Sequence, residues 1–187
     1  SSDGTRVVIG AILNDGVTGA IYNAGHARVY EESGGTWTQI GSDIDGDVAN
    51  DYTGRSVSIS SDGTRVAIGA PTQDSGRVRV YEDIGGTWTQ VGADIDGEAV
   101  YDQSGHSVSI SSDGTRVAIG AYGNDDIGNY AGHVRVYEWD TPAFPSQWTQ
   151  VGQDIDGEAA NDEFGRSVSI SSDGTRVAIG AHDNDGN

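Results

Sequence analysis

Near-verbatim internal repeats constrain the fold of this chain more than any other feature. The segment SSDGTRVAIGA occupies Ser60–Ala70, Ser111–Ala121 and Ser171–Ala181, and it occurs with one change at Ser1–Ala11. Three other blocks follow it in a fixed order, with the forms GHVRVYE, WTQVG-x-DIDGE and GRSVSIS. A copied unit of roughly 50 to 60 residues is typical of propellers, solenoids and other repeat arrays.

Each unit contains four short segments with the pattern of β-strands. Val57 and Ile59 are separated by one residue, as are Val66 and Ile68 in the next segment. Such alternation predicts strands, and no window has a helical period. The Asp-Gly pair between the first two segments predicts a tight hairpin. Four antiparallel strands per unit predict an all-β chain of β-propeller-type blades.

The repeat divides the chain into four units. We expect a first unit that lacks its first strand at 1–53, complete blades at 54–104 and 105–164, and two strands of a fourth unit at 165–187, thirteen strands in all. A closed propeller needs about four to eight blades. About three repeats therefore leave open part of a larger ring, a ring shared by two chains, or an open stack that grows head to tail.

The charge of the chain excludes several classes of partner. Asp and Glu number 29 against 10 basic residues, and the net charge is −19. This charge repels nucleic acid and anionic lipid surfaces. The apolar runs are only a few residues long, so we expect no membrane insertion. Without cysteine, the chain has no disulfide and no thiolate metal site.

Two short motifs resemble those of a known family. The pair FG at 164–165 opens a first strand, and the triplet GAP at 69–71 ends a second strand. They resemble the FG-GAP repeat, the blade unit of integrin-α-type β-propellers, which implies an extracellular protein. The calcium loop of that family lies between the first two strands, where Ser60–Arg65 offers a single carboxylate. Calcium takes six to eight oxygen ligands, so we expect no calcium there.

A second acidic cluster follows the fourth strand of every unit and contains a fragment of a calcium loop, Asp-x-Asp-Gly. One interpretation is calcium bound at a blade junction. The other is a solvated acidic turn that accepts hydrogen bonds from the next blade, and the missing third ligand favours it. The candidate calcium ligands are Asp43, Asp45, Asp94, Asp96, Glu98, Asp154, Asp156 and Glu158.

The variable loops, such as 124–126, are also rich in Asn and Asp. They are interpreted either as a cation- or ligand-binding surface or as ordinary turn residues. The histidines His26 and His133 occupy equivalent positions, where the second unit has Arg77. Because they lie in different repeats, their spacing predicts no metal site.

One tryptophan recurs at the start of each fourth strand. The three copies are Trp37, Trp88 and Trp148. If exposed, they would offer platforms for sugar stacking. A repeated aromatic residue at this position favours the alternative, in which each ring packs against the neighbouring blade.

These features predict a non-enzymatic extracellular repeat protein with a structural or adhesive role. Its blades would stack into a larger propeller, a surface array or a filament. No nucleophile motif and no catalytic cluster confined to one unit occurs, so we expect no enzyme. The expected partners are further copies of the repeat, in the same chain or a homo-oligomer, and glycans or extracellular proteins. The alternative is a calcium- or glycan-binding propeller module that uses the acidic loops.

Overall fold

A computed structural model describes residues 1–15, 21–72, 74–140 and 147–186. These residues form fifteen β-strands and no helix, which confirms the all-β prediction. The strands pair into four sheets in chain order, and every pairing within them is antiparallel. No helix long and apolar enough for a membrane span occurs in these ranges.

The four sheets follow the four units. The first contains β1 (Arg6–Ala11), β2 (His26–Ser33) and β3 (Thr36–Asp45). The second contains β4 (Ser56–Ile59), β5 (Arg65–Ala70), β6 (Arg77–Asp83), β7 (Trp88–Gln90) and β8 (Ile95–Asp96). The third contains β9 (Ser107–Ile110), β10 (Arg116–Ala121), β11 (His133–Asp140), β12 (Gln147–Gln150) and β13 (Ile155–Asp156). The fourth contains β14 (Phe164–Ile170) and β15 (Val177–Ala181).

The fourth strand of a unit is interrupted, so the prediction of thirteen strands is wrong by two. Tyr81 pairs with Gln90, whereas Val78 pairs with Ile95, and the register therefore advances by two residues between these pairs. Gly92 lies in the interruption at φ 77°, in the left-handed region that glycine adopts at little cost. The third sheet has the same interruption, and in the first sheet it lies inside the continuous β3. Bulges of this kind redirect side chains.

The turn between the first two strands of a unit is held by one carboxylate. Asp62 Oδ1 accepts hydrogen bonds from the Ser60 hydroxyl at 2.6 Å, from the Thr64 amide at 3.0 Å and from the Thr64 hydroxyl at 2.8 Å. The same three bonds occur in the other three copies of the turn. The carboxylate of the turn is therefore held by hydrogen bonds from within the turn itself.

The hydrophobic core lies between successive sheets. On one face of β5, Val66 and Ile68 pack against Val29 and Ile44 of the first sheet. On the opposite face, Ala67 belongs to a second cluster that the second and third sheets share. Each interior sheet is thus buried on both faces, as the alternating pattern predicts.

The two glycine-containing motifs meet where successive sheets approach each other most closely. A Cβ atom on Gly69 would collide with the backbone carbonyl of Gly105 in the next sheet. The equivalent pairs Gly10 with Gly54 and Gly120 with Gly165 have the same geometry. The Ser56 hydroxyl also donates to the Gly105 carbonyl at 2.7 Å. Close backbone approach therefore requires glycine on the GA side of this contact.

Candidate functional site

Charged side chains concentrate where one unit meets the next. The third strand of each unit begins with a histidine or arginine, followed two residues later by an arginine. These pairs are His26 with Arg28, Arg77 with Arg79, and His133 with Arg135. Residues two apart in a strand share a face, so both cationic or ionisable groups point to the same side.

The interruption in the fourth strand places an aspartate beside this second arginine. Asp94 Oδ2 accepts a hydrogen bond from Arg79 Nε at 2.9 Å, and its Oδ1 accepts one from the Gln90 amide at 2.8 Å. The other two units repeat this arrangement at Asp43 and Asp154. The aspartate of the bulge is thus an ion-pair partner within its own unit.

The same arginine also reaches the unit before it. Arg79 Nη2 donates to Asp47 Oδ2 at 2.9 Å, and Asp47 belongs to the acidic loop of the first unit. At the next junction, Arg135 contacts Glu98 in the same manner. Burial raises the pKa of Asp47, but the hydrogen bond from Arg79 and the charges of Arg79 and Arg77 together outweigh burial, so the pKa of Asp47 is lowered. One guanidinium therefore fastens two successive units together.

Arg77 neutralises a buried carboxylate at the junction of the first and second units. Its Nη2 lies 2.6 Å from Asp51 Oδ2 and 2.8 Å from Asp47 Oδ1. Asp51 is only 1% exposed, and an uncompensated charge there would be costly. A polar cavity of about 490 Å³ adjoins this pair and is lined in part by Asp74 and Asp96.

A histidine replaces this arginine at the junction of the second and third units. His133 Nδ1 lies 3.9 Å from Asp154 Oδ2, which is too long for a hydrogen bond, and this nitrogen has no hydrogen-bond partner within the part of the chain that the structure describes. Asp102, the counterpart of Asp51, accepts a hydrogen bond from the Ala99 amide at 3.1 Å. Burial raises the pKa of Asp102.

His26 has similar surroundings in the first unit. Its Nδ1 lies 3.6 Å from Asp43 Oδ2 and 3.8 Å from Asp45 Oδ1. Both His26 Nδ1 and Asp45 Oδ1 are buried without a hydrogen-bond partner.

The structure brings some of the predicted calcium ligands together. Asp43 lies with Asp45 beside His26, and Glu98 lies with Asp154 beside His133. The remaining candidates join no group of three potential ligands among the described residues: Asp94, Asp96, Asp156 and Glu158. Calcium at these positions stays a prediction, and each of the three bulge aspartates also accepts a hydrogen bond from an arginine.

Sequence analysis missed the histidines as members of these groups. Their partners come from other strands and, at His133, from another unit, so linear spacing does not show them. The signal that was available is the exchange of histidine for arginine at position 77 in otherwise copied units.

Comparison with known families identifies the repeat. Residues 154–187 match the FG-GAP repeat family. This segment is similar to an FG-GAP repeat. The match confirms the predicted resemblance, and the three preceding units carry nearly the same blocks. The glycine of the FG pair and the glycine of the GAP triplet lie on the two sides of the glycine contact described above.

Solved structures with the same fold are β-rich proteins of distant sequence. A candidate 6-phosphogluconolactonase of Bacteroides fragilis has a TM-score of 0.58 at 14% identity, over 96% of this chain and 40% of its own. Hydrazine synthase of Kuenenia stuttgartiensis has a TM-score of 0.57 at 15% identity, over 99% and 58%. TolB of Acinetobacter baumannii has a TM-score of 0.54 at 13% identity, over 100% and 37%.

These similarities support the propeller-type fold and carry no function, because one fold hosts many activities. The chain spans about two fifths to three fifths of the length of these structures. No curated protein sequence matches it significantly.

Proposed function

We propose that this FG-GAP repeat chain is a non-enzymatic extracellular protein with a structural or adhesive role, in which further units of the same repeat pack against its ends. The observation that carries the proposal is a set of contacts that recur between successive units. One side of these contacts is exposed on the first unit, and the other side is exposed on the last.

The first of these contacts is made by the repeated tryptophan. Trp88 Nε1 donates to the Ile40 carbonyl of the preceding unit at 3.0 Å, and Trp148 Nε1 donates to the Val91 carbonyl at 2.8 Å. Trp37 is the third copy, and it is 47% exposed. It presents an apolar ring and an indole donor on the outer face of the first unit.

The second contact is made by the arginine after the Asp-Gly turn. Arg6, Arg65 and Arg116 each donate to the turn carbonyl of the following unit, at 3.1 to 3.2 Å. Arg176 is the fourth copy and is exposed on the last sheet. The turn at Gly4 offers the carbonyl that a preceding arginine would contact.

The two ends thus carry opposite halves of one interface, which supports head-to-tail packing. A contact between different surfaces continues unless rotation closes it into a ring. Repeat proteins gain stability from each added neighbour in the same way.

Light scattering on the chain as a function of concentration tests this proposal. We expect the mass to rise above 19.4 kDa with concentration, and Arg176→Glu to abolish the rise. Arg55→Glu is the matched control, because it makes the same change of charge at an exposed interior arginine. A mass that stays at 19.4 kDa at every concentration, or equal effects of both variants, would contradict self-association.

A calcium- or glycan-binding module is the second candidate function. The paired carboxylates of Asp43 and Asp45, with a buried unpartnered oxygen on Asp45, favour a cation over a glycan. If calcium binds there, chelation lowers the melting temperature of the wild type and not that of Asp45→Asn. An unchanged melting temperature across millimolar calcium contradicts this alternative.

A further inference from the structure

The Nδ1 atom of His133 has no hydrogen-bond partner among the residues that the structure describes. The residue is 2% exposed, and the carboxylate of Asp154 lies near Nδ1. If Nδ1 is unprotonated, its lone pair faces negative charge. If Nδ1 carries a proton, the Asp154 oxygen 3.9 Å away is too distant to accept it. In neither protonation state does the side chain have a hydrogen bond at this nitrogen.

Three carboxylates lie beside the His133 ring. Oxygens of Glu98, Asp126 and Asp154 and a ring nitrogen of His133 all lie within 4.8 Å of one another. Asp154 is fixed by the Gln150 amide at 2.6 Å and by Arg135. Glu98, which also contacts Arg135, and Asp126 are exposed, so rotation about their side-chain bonds can bring an oxygen of each to bonding distance of a common ion.

The junction between the first and second units shows what this group lacks. There, two guanidinium groups form ion pairs with three carboxylates, and Asp74 lines the adjoining cavity. The carboxylates are Asp47, Asp51 and Asp94, and the guanidinium groups are Arg77 and Arg79. The junction between the second and third units has the three equivalent carboxylates and, in addition, that of Asp126. It has one guanidinium. The four carboxylates are Glu98, Asp102, Asp126 and Asp154, and the guanidinium is Arg135.

Because His133 stands where the first junction has Arg77, the second junction has one guanidinium fewer. A bound cation would compensate for this missing positive charge. It would also bond a buried imidazole nitrogen that has no hydrogen-bond partner among the described residues, so charge and coordination point to the same ligand.

We propose that His133, Glu98, Asp126 and Asp154 bind a divalent transition-metal ion of the zinc or manganese class. Imidazole is a ligand that such ions accept and that calcium and magnesium, with their preference for oxygen, do not favour. The site differs from a calcium loop because its ligands come from three separate segments of two units. Glu98 belongs to the second unit and the others to the third, so the ion links the two units.

Calorimetric titration of the chelator-treated chain with zinc chloride tests the site, and the comparison is with His133→Arg. The arginine fills the site as Arg77 does in the preceding junction, so it keeps the fold while it removes a ligand and supplies a charge. We expect the number of zinc ions bound per chain to fall by one. The measured quantity is the difference in bound zinc between the wild type and the variant. Zinc bound near His26 is present in both and does not affect this difference.

Two results would overturn the site. One is a wild-type chain that binds no zinc and no manganese. The other is a His133→Arg variant that binds as many ions as the wild type. Tighter binding of calcium than of zinc at this stoichiometry would also overturn the assignment of the metal class.

A second pair of variants tests the site without altering a buried residue. Asp126→Asn removes one exposed ligand, and Asp125→Asn is the matched control in the same loop. Asp125 accepts a hydrogen bond from the Tyr130 amide at 2.8 Å, which asparagine can also accept. We expect zinc affinity to fall about tenfold or more for Asp126→Asn only. Equal affinities of the two variants would contradict the proposal.

Discussion

The strands β10 and β15 contain the same residues, VAIGA, in different surroundings. In β10, Ile119 is 2% exposed and the strand is buried on both faces, because sheets lie before and after it. In β15, Ala178 is exposed and the other residues are half-buried. Burial in this molecule is therefore a property of neighbouring units rather than of the unit's own sequence. Equivalent substitutions in interior and terminal units should accordingly have unequal effects.

The tryptophans should give the largest difference. Trp148→Ala removes a ring that packs against the core cluster and bonds the Val91 carbonyl, and we expect a loss of about 3–5 kcal/mol in the free energy of unfolding. Trp37→Ala removes an exposed ring and should cost under about 1 kcal/mol. Urea denaturation measures both. Similar losses would show that Trp37 is already covered in solution, as self-association predicts.

The second-largest difference in stability cost is expected for glycines of the second strand, between an interior and a terminal unit. A methyl group on Gly120 meets the Gly165 carbonyl of the next sheet, so we expect Gly120→Ala to cost about 1–3 kcal/mol. On Gly180 the nearest atom is the Ser167 hydroxyl, which can rotate away, and Gly180→Ala should stay within about 0.5 kcal/mol. Thermal unfolding of the two variants checks this. A large loss for Gly180→Ala would break the comparison.

A smaller difference in stability cost is expected for equivalent arginines of the third strand. Arg79 bridges two carboxylates of different units and is 14% exposed, so Arg79→Ala should cost about 1.5–3 kcal/mol. Arg28 is 40% exposed and forms its ion pair with Asp43 of its own unit, so Arg28→Ala should cost much less than Arg79→Ala. The cost for Arg79 should shrink in high salt less than that for Arg28.

The pKa of the aspartate in the Asp-Gly turn should be lowered in interior and terminal units alike. The hydrogen bonds that this carboxylate accepts come from within the turn. Bonds from Ser171 and Thr175 lower the pKa of Asp173 to about 2. At Asp113 burial opposes the shift, and the bonds from Ser111 and Thr115 still lower its pKa. Both contributions to stability are present above the unfolded value of 3.8 and are lost as the pH falls through the folded pKa.

Side-chain carboxyl NMR over pH 1 to 5 measures these two titrations. We expect both groups to titrate below 3.8, in the interior and in the terminal unit alike. A terminal Asp173 that titrates at 3.8 or above would show that the turn depends on its neighbours after all.

Local sequence predicts the strands and turns of this fold well, because alternation and the Asp-Gly pair act over a few residues. The interruption of the fourth strand is not predictable in this way. It depends on which residues pair across strands, as between Val78 and Ile95. The nearest sequence signal is the glycine at position 92, which precedes a charged residue by two positions.

The site was harder to predict than the fold. The acidic loops were recognised as possible cation ligands, but their arginine partners are fifteen or more residues away in sequence. Arg79 meets Asp47 from another unit, and no spacing within one unit reveals that contact. His133 stands where the preceding unit has Arg77, and this difference changes the charge of the junction. The difference is apparent only when the two junctions are compared position by position.

The glycine contact between units has a consequence for how such a chain can change length. Each complete unit carries both sides of the contact: the glycine of its second strand, as at Gly69, and the glycine carbonyl before its first strand, as at Gly105. Removal or duplication of one whole complete unit therefore leaves each remaining interface with a compatible partner. The length of such an array can change by whole units while the spacing within a unit is preserved.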